Sequence, residues 1–117
     1  MAVVGVGVDI VDIERFSLSI RRTPGLSARV LTPAEASLPT ESQAGRFAAK
    51  EALAKALGAP AGLAWTDVEV VRESSGQPRL HWRGTVAAEA ERQGVTSCHV
   101  TISHDGGVAT AMVVLER

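Results

Sequence analysis

The sequence has very few aromatic residues and almost no cysteine. Phe16, Phe47, Trp65 and Trp82 are the only aromatic residues among 117, and Cys98 is the only cysteine. Domains that bind single-stranded nucleic acid need aromatic side chains on which bases stack, and this chain can hardly build such a platform. One cysteine cannot form a disulfide within the chain, which fits a reducing compartment and predicts a cytoplasmic protein.

The sequence also lacks a dominant charge and a long hydrophobic run. Its 12 basic and 13 acidic residues give a formal net charge of −1, which argues against a basic nucleic-acid binder. The apolar N-terminus has no lysine or arginine ahead of it and ends at Asp9, too short to span a bilayer. We therefore interpret it as a strand, not as a signal peptide or membrane anchor, and expect neither a nucleic-acid nor a membrane partner.

Several common catalytic motifs are missing. The chain has no GxxxxGK(S/T) phosphate-binding loop, no GxSxG nucleophile motif and no HExxH metal motif. His99 and His104 lie five residues apart, so on a strand they point to opposite faces, which is poor spacing for a metal site. None of these motifs therefore supplies the chemistry.

The residues that are present predict one α+β domain over residues 1–117. The patterns predict strands at Val3–Ile10, Asp67–Arg72, Arg79–Trp82, Cys98–Ser103 and Val108–Leu115. They predict helices at Asp12–Arg22, Thr40–Gly58 and Thr85–Gln93, and a capping box at Thr32–Glu35. Thr40 is the expected cap of the longest helix, and Gly58 its end. This order predicts a mainly antiparallel sheet packed with one long central helix and shorter helices.

The first strand has one face almost without side chains. Alternation places Val4, Val6 and Val8 on one face, whereas the two glycines of the strand share the other face with Asp9. Because glycine weakens a strand unless something must approach closely, we expect a close neighbour on the glycine face.

The long helix carries charges among apolar residues. Phe47, Glu51 and Lys55 recur every four residues and fall along one ridge of a helix that is apolar nearly all round. Two interpretations remain: an ordinary Glu51–Lys55 pair at the surface, or charges that meet a ligand.

Asp9 adds a second carboxylate. Mg²⁺ commonly takes one or two carboxylates together with water and substrate phosphate, and a lysine can neutralise the phosphate. Asp9, Glu51 and Lys55 would suit such a site, although spacing alone cannot bring Asp9 to Glu51, and Asp9 also suits a cap or turn. His104 and Asp105, expected in the last hairpin connection, could orient a base, hold a ligand or form a plain turn.

Four arginines form an acid-free stretch after the first strand. Arg15, Arg21, Arg22 and Arg29 have no Asp or Glu among them. This basic segment predicts either a solvated face or a docking surface for an acidic partner.

Three segments together carry a family resemblance. They are GVGVDIVDI from Gly5, RFAAKEALAKALG from Arg46, and HVTISH from His99. In this order they closely resemble bacterial holo-acyl-carrier-protein synthases, the small class of 4′-phosphopantetheinyl transferases, over essentially the whole chain. Where the family often has Thr-Gly after the last glycine of the middle segment, this chain has Ala59-Pro60, so its nucleotide loop is expected to differ.

The resemblance implies the 4′-phosphopantetheinyl transferase fold and a Mg²⁺-dependent reaction. Phosphopantetheine passes from coenzyme A to a serine of apo acyl carrier protein, and adenosine 3′,5′-bisphosphate leaves. The carrier protein of fatty-acid or polyketide synthesis, or both, remains open as the acceptor. Rival hypotheses are a Mg²⁺-dependent pyrophosphate hydrolase and a non-catalytic binding module.

The resemblance also implies residue roles. Asp9 and Glu51 match the Mg²⁺ carboxylates and Lys55 the lysine near the pyrophosphate. Arg46, Lys50 and His104 match positions that contact coenzyme A or shape its site. The base that accepts the serine proton is Glu51, directly or through water, or else His104 with Asp105. Homotrimers with active sites at subunit interfaces are implied, as is contact of the acidic carrier protein with Arg15, Arg21, Arg22 and Arg29.

Overall fold

The computed structural model describes Met1–Arg117. Its strands are β1 (Val3–Asp12), β2 (Val68–Arg72), β3 (Pro78–Trp82), β4 (Ser97–Asp105) and β5 (Val108–Glu116). Its helices are α1 (Ile13–Arg22), α2 (Leu26–Val30), α3 (Pro33–Ala36), α4 (Thr40–Ala56) and α5 (Gly84–Arg92), with a short 3₁₀ turn at Trp65–Asp67.

The strands form two antiparallel sheets. One sheet has the order β1-β5-β4, and the other pairs β2 with β3. The predicted α+β class and antiparallel pairing are confirmed, but the sheet is split, since β3 and β4 do not pair and instead line a groove between the sheets.

Helix α4 occupies the centre of the molecule, as predicted. Ten of its 17 residues are buried. Alanines recur every four residues on the side that meets the sheet, and β5 supplies small and branched residues opposite them. Because these side chains are small, the helix can lie unusually close to the sheet.

The glycine face of β1 is where α4 approaches. A Cβ atom built on Gly5 would lie 1.8 Å from the carbonyl oxygen of Ala56, and one on Gly7 would lie 1.8 Å from that of Ala52. The prediction of a close neighbour is confirmed, and that neighbour is a helix backbone.

Gly7→Ala is expected to destabilise the protein by about 3 kcal/mol, the upper end of the cost of overpacking, because the colliding atom belongs to a helix backbone and cannot move aside. Urea denaturation measures this as a lower midpoint. Gly45→Ala is the matched control, since its Cβ meets a side-chain methyl of Ile102 at 2.9 Å and alanine favours the helix by about 1 kcal/mol. Equal midpoints for both variants would contradict the close-approach argument.

The ends of two helices test the predicted caps. The capping box of Thr32 and Glu35 is present at α3, and Gly58 follows α4 with φ +86°. The predicted cap at Thr40 is wrong: Pro39 occupies the cap position of α4. The Gln43 amide instead donates to the carbonyls that precede the helix, at 2.8–3.0 Å.

The last hairpin turns more tightly than predicted. His104 and Asp105 belong to β4, and the turn consists of Gly106 and Gly107, with φ +58° and +81°. Positive φ at both positions suits a two-residue turn and favours glycine. His104 is therefore held by strand pairing with Ala109.

None of the helices is long and apolar enough to cross a membrane.

Candidate functional site

Strand β1 and helix α4 bring together the residues that spacing alone could not connect. Lys55 Nζ donates to Asp9 Oδ1 and to the carbonyl of Val8, both at 3.0 Å. Glu51 lies one turn earlier on α4 and lines the same cleft as Asp9. Asp9, Glu51 and Lys55 therefore form one cluster.

The two carboxylates of the cluster interact electrostatically. Burial raises the pKa of Glu51, the nearby Asp9 carboxylate raises it further, and Lys55 opposes both effects. A bound cation would offset the cost of ionising Glu51 beside a second carboxylate.

The donor set of this cluster fits Mg²⁺. No three His, Cys, Asp or Glu side chains are arranged so that they could hold a metal ion together, and the pair that the site offers is Asp9 and Glu51. Two carboxylate groups with room for water and phosphate are typical of a Mg²⁺ site. Zinc sites usually have three or four protein ligands, most often His nitrogen and Cys sulfur atoms.

A cleft of about 390 Å³ opens beside the carboxylates. Its apolar wall includes Phe16 and Phe47, whose ring centroids are 5.5 Å apart, and Arg15 lies on its lining. The cleft can take a group that is polar at the carboxylate end and apolar beyond it. Phe16 could not be predicted as a site residue from the sequence, because its place depends on how α1 docks onto α4.

His104 and Asp105 do not join the cluster within one chain. Val11, Ala109 and His104 are aligned across β1, β5 and β4, so His104 shares the helix-facing side with Asp9 but lies two strand spacings, about 10 Å, from β1. The imidazole Nδ1 contacts Glu41 Oε1. With Asp105, His104 lines a second, polar cleft.

The prediction for Lys50 needs correction. Its ammonium is fully buried and donates to Glu35 Oε1 at 2.6 Å and to the carbonyls of Val30 and Trp65 at 2.9 and 3.0 Å. All three donor positions are thus filled and none is accessible to coenzyme A. Lys50 shapes the interior beside Glu51 and contacts no ligand from this position.

Arg46 retains an unused donor. Its side chain is buried, Nη1 donates to the Ser42 carbonyl at 3.4 Å, and Nε has no partner. Burial lowers the pKa of Arg46, and the positive charge of Arg72 lowers it further. Both effects disfavour the charged form of Arg46.

The four arginines of the basic segment are exposed, Arg15, Arg21 and Arg22 on α1 and Arg29 on α2. None of them forms a salt bridge within the chain. Arg15 and Arg22 are seven residues apart on α1 and share a helix face.

The sheet has an open face on the side away from α4. Val6, Val8, Ile10 and Met112 on this open face are 42–70% exposed. Contiguous apolar patches of this kind mark interaction surfaces.

Cys98 is no candidate for catalysis. Burial raises the pKa of its thiol to about 11, so the thiolate is scarce at neutral pH.

Comparison with known proteins identifies similar chains over nearly the whole length. A family model, that of the 4′-phosphopantetheinyl transferase superfamily, matches residues 5–112. A holo-acyl-carrier-protein synthase from Frankia alni is 59% identical over 117 residues, covering 99% of both chains.

Solved structures agree with this comparison. The complex of ACPS with CoA from Chronobacterium ammoniagenes superposes with a TM-score of 0.85 at 32% identity, covering 98% of this chain and 97% of that one. A Helicobacter pylori holo-acyl-carrier-protein synthase in complex with coenzyme A has a TM-score of 0.81 at 31% identity, covering 95% and 99%.

Proposed function

This chain belongs to the 4′-phosphopantetheinyl transferase superfamily, and we propose from that premise that it transfers 4′-phosphopantetheine from coenzyme A to a serine of apo acyl carrier protein. The products are holo carrier protein and adenosine 3′,5′-bisphosphate, and the reaction depends on Mg²⁺. The observation that carries the proposal is the convergence of Asp9, Glu51 and Lys55 beside one cleft. The similar proteins solved with coenzyme A support the choice of donor.

Each residue of the cluster has its own role in phosphoryl transfer. Asp9 and Glu51 would hold Mg²⁺, which supplies stabilisation of the charge on pyrophosphate oxygens when bound. Lys55 offsets the charge that develops on the departing bisphosphate.

The bonds exchanged are one phosphorus–oxygen bond for another. The serine oxygen attacks the pyrophosphate phosphorus that bears the pantetheine arm, and the bond from that phosphorus to the bisphosphate oxygen breaks. The serine proton passes to a base, for which Glu51 and the His104–Asp105 end of β4 remain the candidates.

Mass spectrometry of apo carrier protein incubated with the enzyme, coenzyme A and Mg²⁺ tests this function. The proposal expects the serine to gain the phosphopantetheine mass. No gain would overturn it. Release of bisphosphate from coenzyme A without carrier protein would instead indicate the pyrophosphate hydrolase, and coenzyme A binding that survives loss of both carboxylates would indicate the binding module.

We expect a homotrimer in solution, assembled on the open face of the sheet. Burying the exposed valines, isoleucine and methionine there would supply the area that a 117-residue chain gains from assembly. Light scattering at micromolar concentration should give three times the chain mass of 12.2 kDa. Val8→Glu should lower that mass, whereas Glu91→Ala on exposed α5 should not. A monomeric wild type would contradict the prediction.

Charge reversal of Arg15 together with Arg22 is expected to raise the KM for carrier protein about tenfold at low salt. Arginine suits contact with carboxylates, and such steering weakens as ionic strength rises. The KM for coenzyme A should change much less. The matched control reverses Arg79 and Arg92, which pair with Glu73 and Glu89 elsewhere on the surface.

The control variant alters net charge equally, so a similar rise in its KM would assign the effect to overall charge. An unchanged KM for carrier protein in the Arg15 and Arg22 variant would mean that the basic segment is only a solvated face.

The cytoplasmic localisation stays a prediction from the single cysteine.

A further inference from the structure

We propose that Lys55 competes with Mg²⁺ for the Asp9 carboxylate and thereby makes binding of the metal depend on coenzyme A. The observation is the hydrogen bond from Lys55 Nζ to Asp9 Oδ1, at 3.0 Å. The inference rests on the proposed function, in which Asp9 and Glu51 hold Mg²⁺ and Lys55 serves the phosphate groups.

The end of β1 holds the Lys55 ammonium with two acceptors. Besides Asp9 Oδ1, the carbonyl oxygen of Val8 accepts from Nζ, also at 3.0 Å. Because the Asp9 side chain is only 16% exposed, few directions of approach to its oxygens remain beside the ammonium. The ammonium therefore lies where a second cation would need to approach the same carboxylate.

The Lys55 side chain is free to leave this position. It is 52% exposed, and an ion pair with so much access to water contributes little to stability. Lys50, by contrast, is fully buried and bonded to three acceptors, so its ammonium is fixed. Only the second lysine of the helix can turn to another anion while the protein stays folded.

The charges of the cluster set Lys55 against a divalent cation. The ammonium acts on both carboxylates, since it also opposes the rise that burial and Asp9 cause in the pKa of Glu51. With both carboxylates ionised, the three groups together carry one negative charge, which a divalent cation would turn into one positive charge. Because like charges at such short range repel, Lys55 should weaken binding of the metal alone.

Coenzyme A would remove this repulsion. Its pyrophosphate brings negative charge to the cluster, and the ammonium of Lys55 can follow that charge and leave the oxygen of Asp9 to the metal. Coenzyme A should then strengthen metal binding, and by linkage the metal should strengthen coenzyme A binding by the same factor. The enzyme would thus take up the metal chiefly together with its substrate.

Titration with Mn²⁺, followed by electron paramagnetic resonance, tests the competition without coenzyme A, carrier protein or turnover. Mn²⁺ takes the same oxygen ligands as Mg²⁺. Lys55→Met should bind Mn²⁺ about tenfold more tightly than the wild type, because the competing charge is gone. Arg92→Met is the matched control: it removes the same charge from the exposed surface of α5 and should bind Mn²⁺ as the wild type does. Adding Asp9→Ala to Lys55→Met should abolish the gain.

The same titration at saturating coenzyme A tests the coupling. Mn²⁺ binding to the wild type should become about tenfold tighter, whereas the gain in Lys55→Met should be smaller. Mn²⁺ binding to Lys55→Met that is no tighter than to the wild type would overturn the inference and mean that Lys55 only orients Asp9. An unchanged wild-type affinity in the presence of coenzyme A would also overturn it. Failure of the wild type to transfer phosphopantetheine, with these binding results intact, would overturn the proposed function alone.

Discussion

Asp9→Ala and Glu51→Ala are each expected to abolish phosphopantetheine transfer while the protein stays folded. Each removes one of the two carboxylates proposed to hold Mg²⁺, an ion that tolerates poor coordination badly. The fold should survive because the only side-chain partner of Asp9 is Lys55, which lies half exposed, and because Glu51 is only partly buried.

Thermal unfolding separates metal binding from catalysis in these variants. Mg²⁺ should raise the Tm of the wild type by mass action and leave that of either variant unchanged. Glu91→Ala, an exposed carboxylate on α5, is the control and should respond as the wild type does. Near-normal turnover of either variant at saturating Mg²⁺ would show that its carboxylate is no ligand.

Because the pKa of Glu51 is raised, the rise in Tm that Mg²⁺ causes is expected to depend on pH. The folded state holds the Glu51 proton more tightly than the unfolded state, so the group favours folding below its unfolded pKa and loses that contribution as pH rises through the folded one. Mg²⁺ needs the ionised form. The rise in Tm that Mg²⁺ causes should therefore become smaller as the pH falls through the raised pKa of Glu51.

Local patterns in the sequence predicted the elements well and the identity of neighbours poorly. The period of two in β1 correctly assigned Gly5, Gly7 and Asp9 to one face, and the glycines correctly indicated a close approach. The approaching group, the backbone of α4, lies some 45 residues further along the chain. Periodicity carries no information on such a contact, because it depends on how the elements pack.

The two lysines illustrate the same limit within one helix. Lys50 and Lys55 lie in the same apolar sequence, yet Lys50 is fully buried and Lys55 is half exposed. The capping-box pattern predicted the local role of Glu35 at α3 but not its bond to Lys50, fifteen residues away. Likewise, the family resemblance rather than spacing linked Asp9 to Glu51.

Glu35→Ala is expected to destabilise the protein by about 3–5 kcal/mol, the usual cost of breaking a buried ion pair from one side. Glu35 is 1% exposed and accepts from Lys50 Nζ, from the backbone N–H of Thr32 and from that of Val70, at 2.6–2.8 Å. Burial lowers the pKa of Lys50, and Glu35 opposes that effect. Removing the carboxylate leaves the buried Lys50 ammonium without a counter-charge and two buried N–H groups without an acceptor.

The midpoint of urea unfolding measures this loss, and a second variant identifies its cause. Lys50→Met in the Glu35→Ala background should recover part of the stability, because the buried cation is gone while the two N–H groups remain unpaired. Glu73→Ala is the matched control: it breaks an exposed pair with Arg79 and should cost less than about 1 kcal/mol. A Glu35→Ala midpoint close to that of the control would mean that water reaches Lys50 and that the pair does not hold α3, α4 and β2 together.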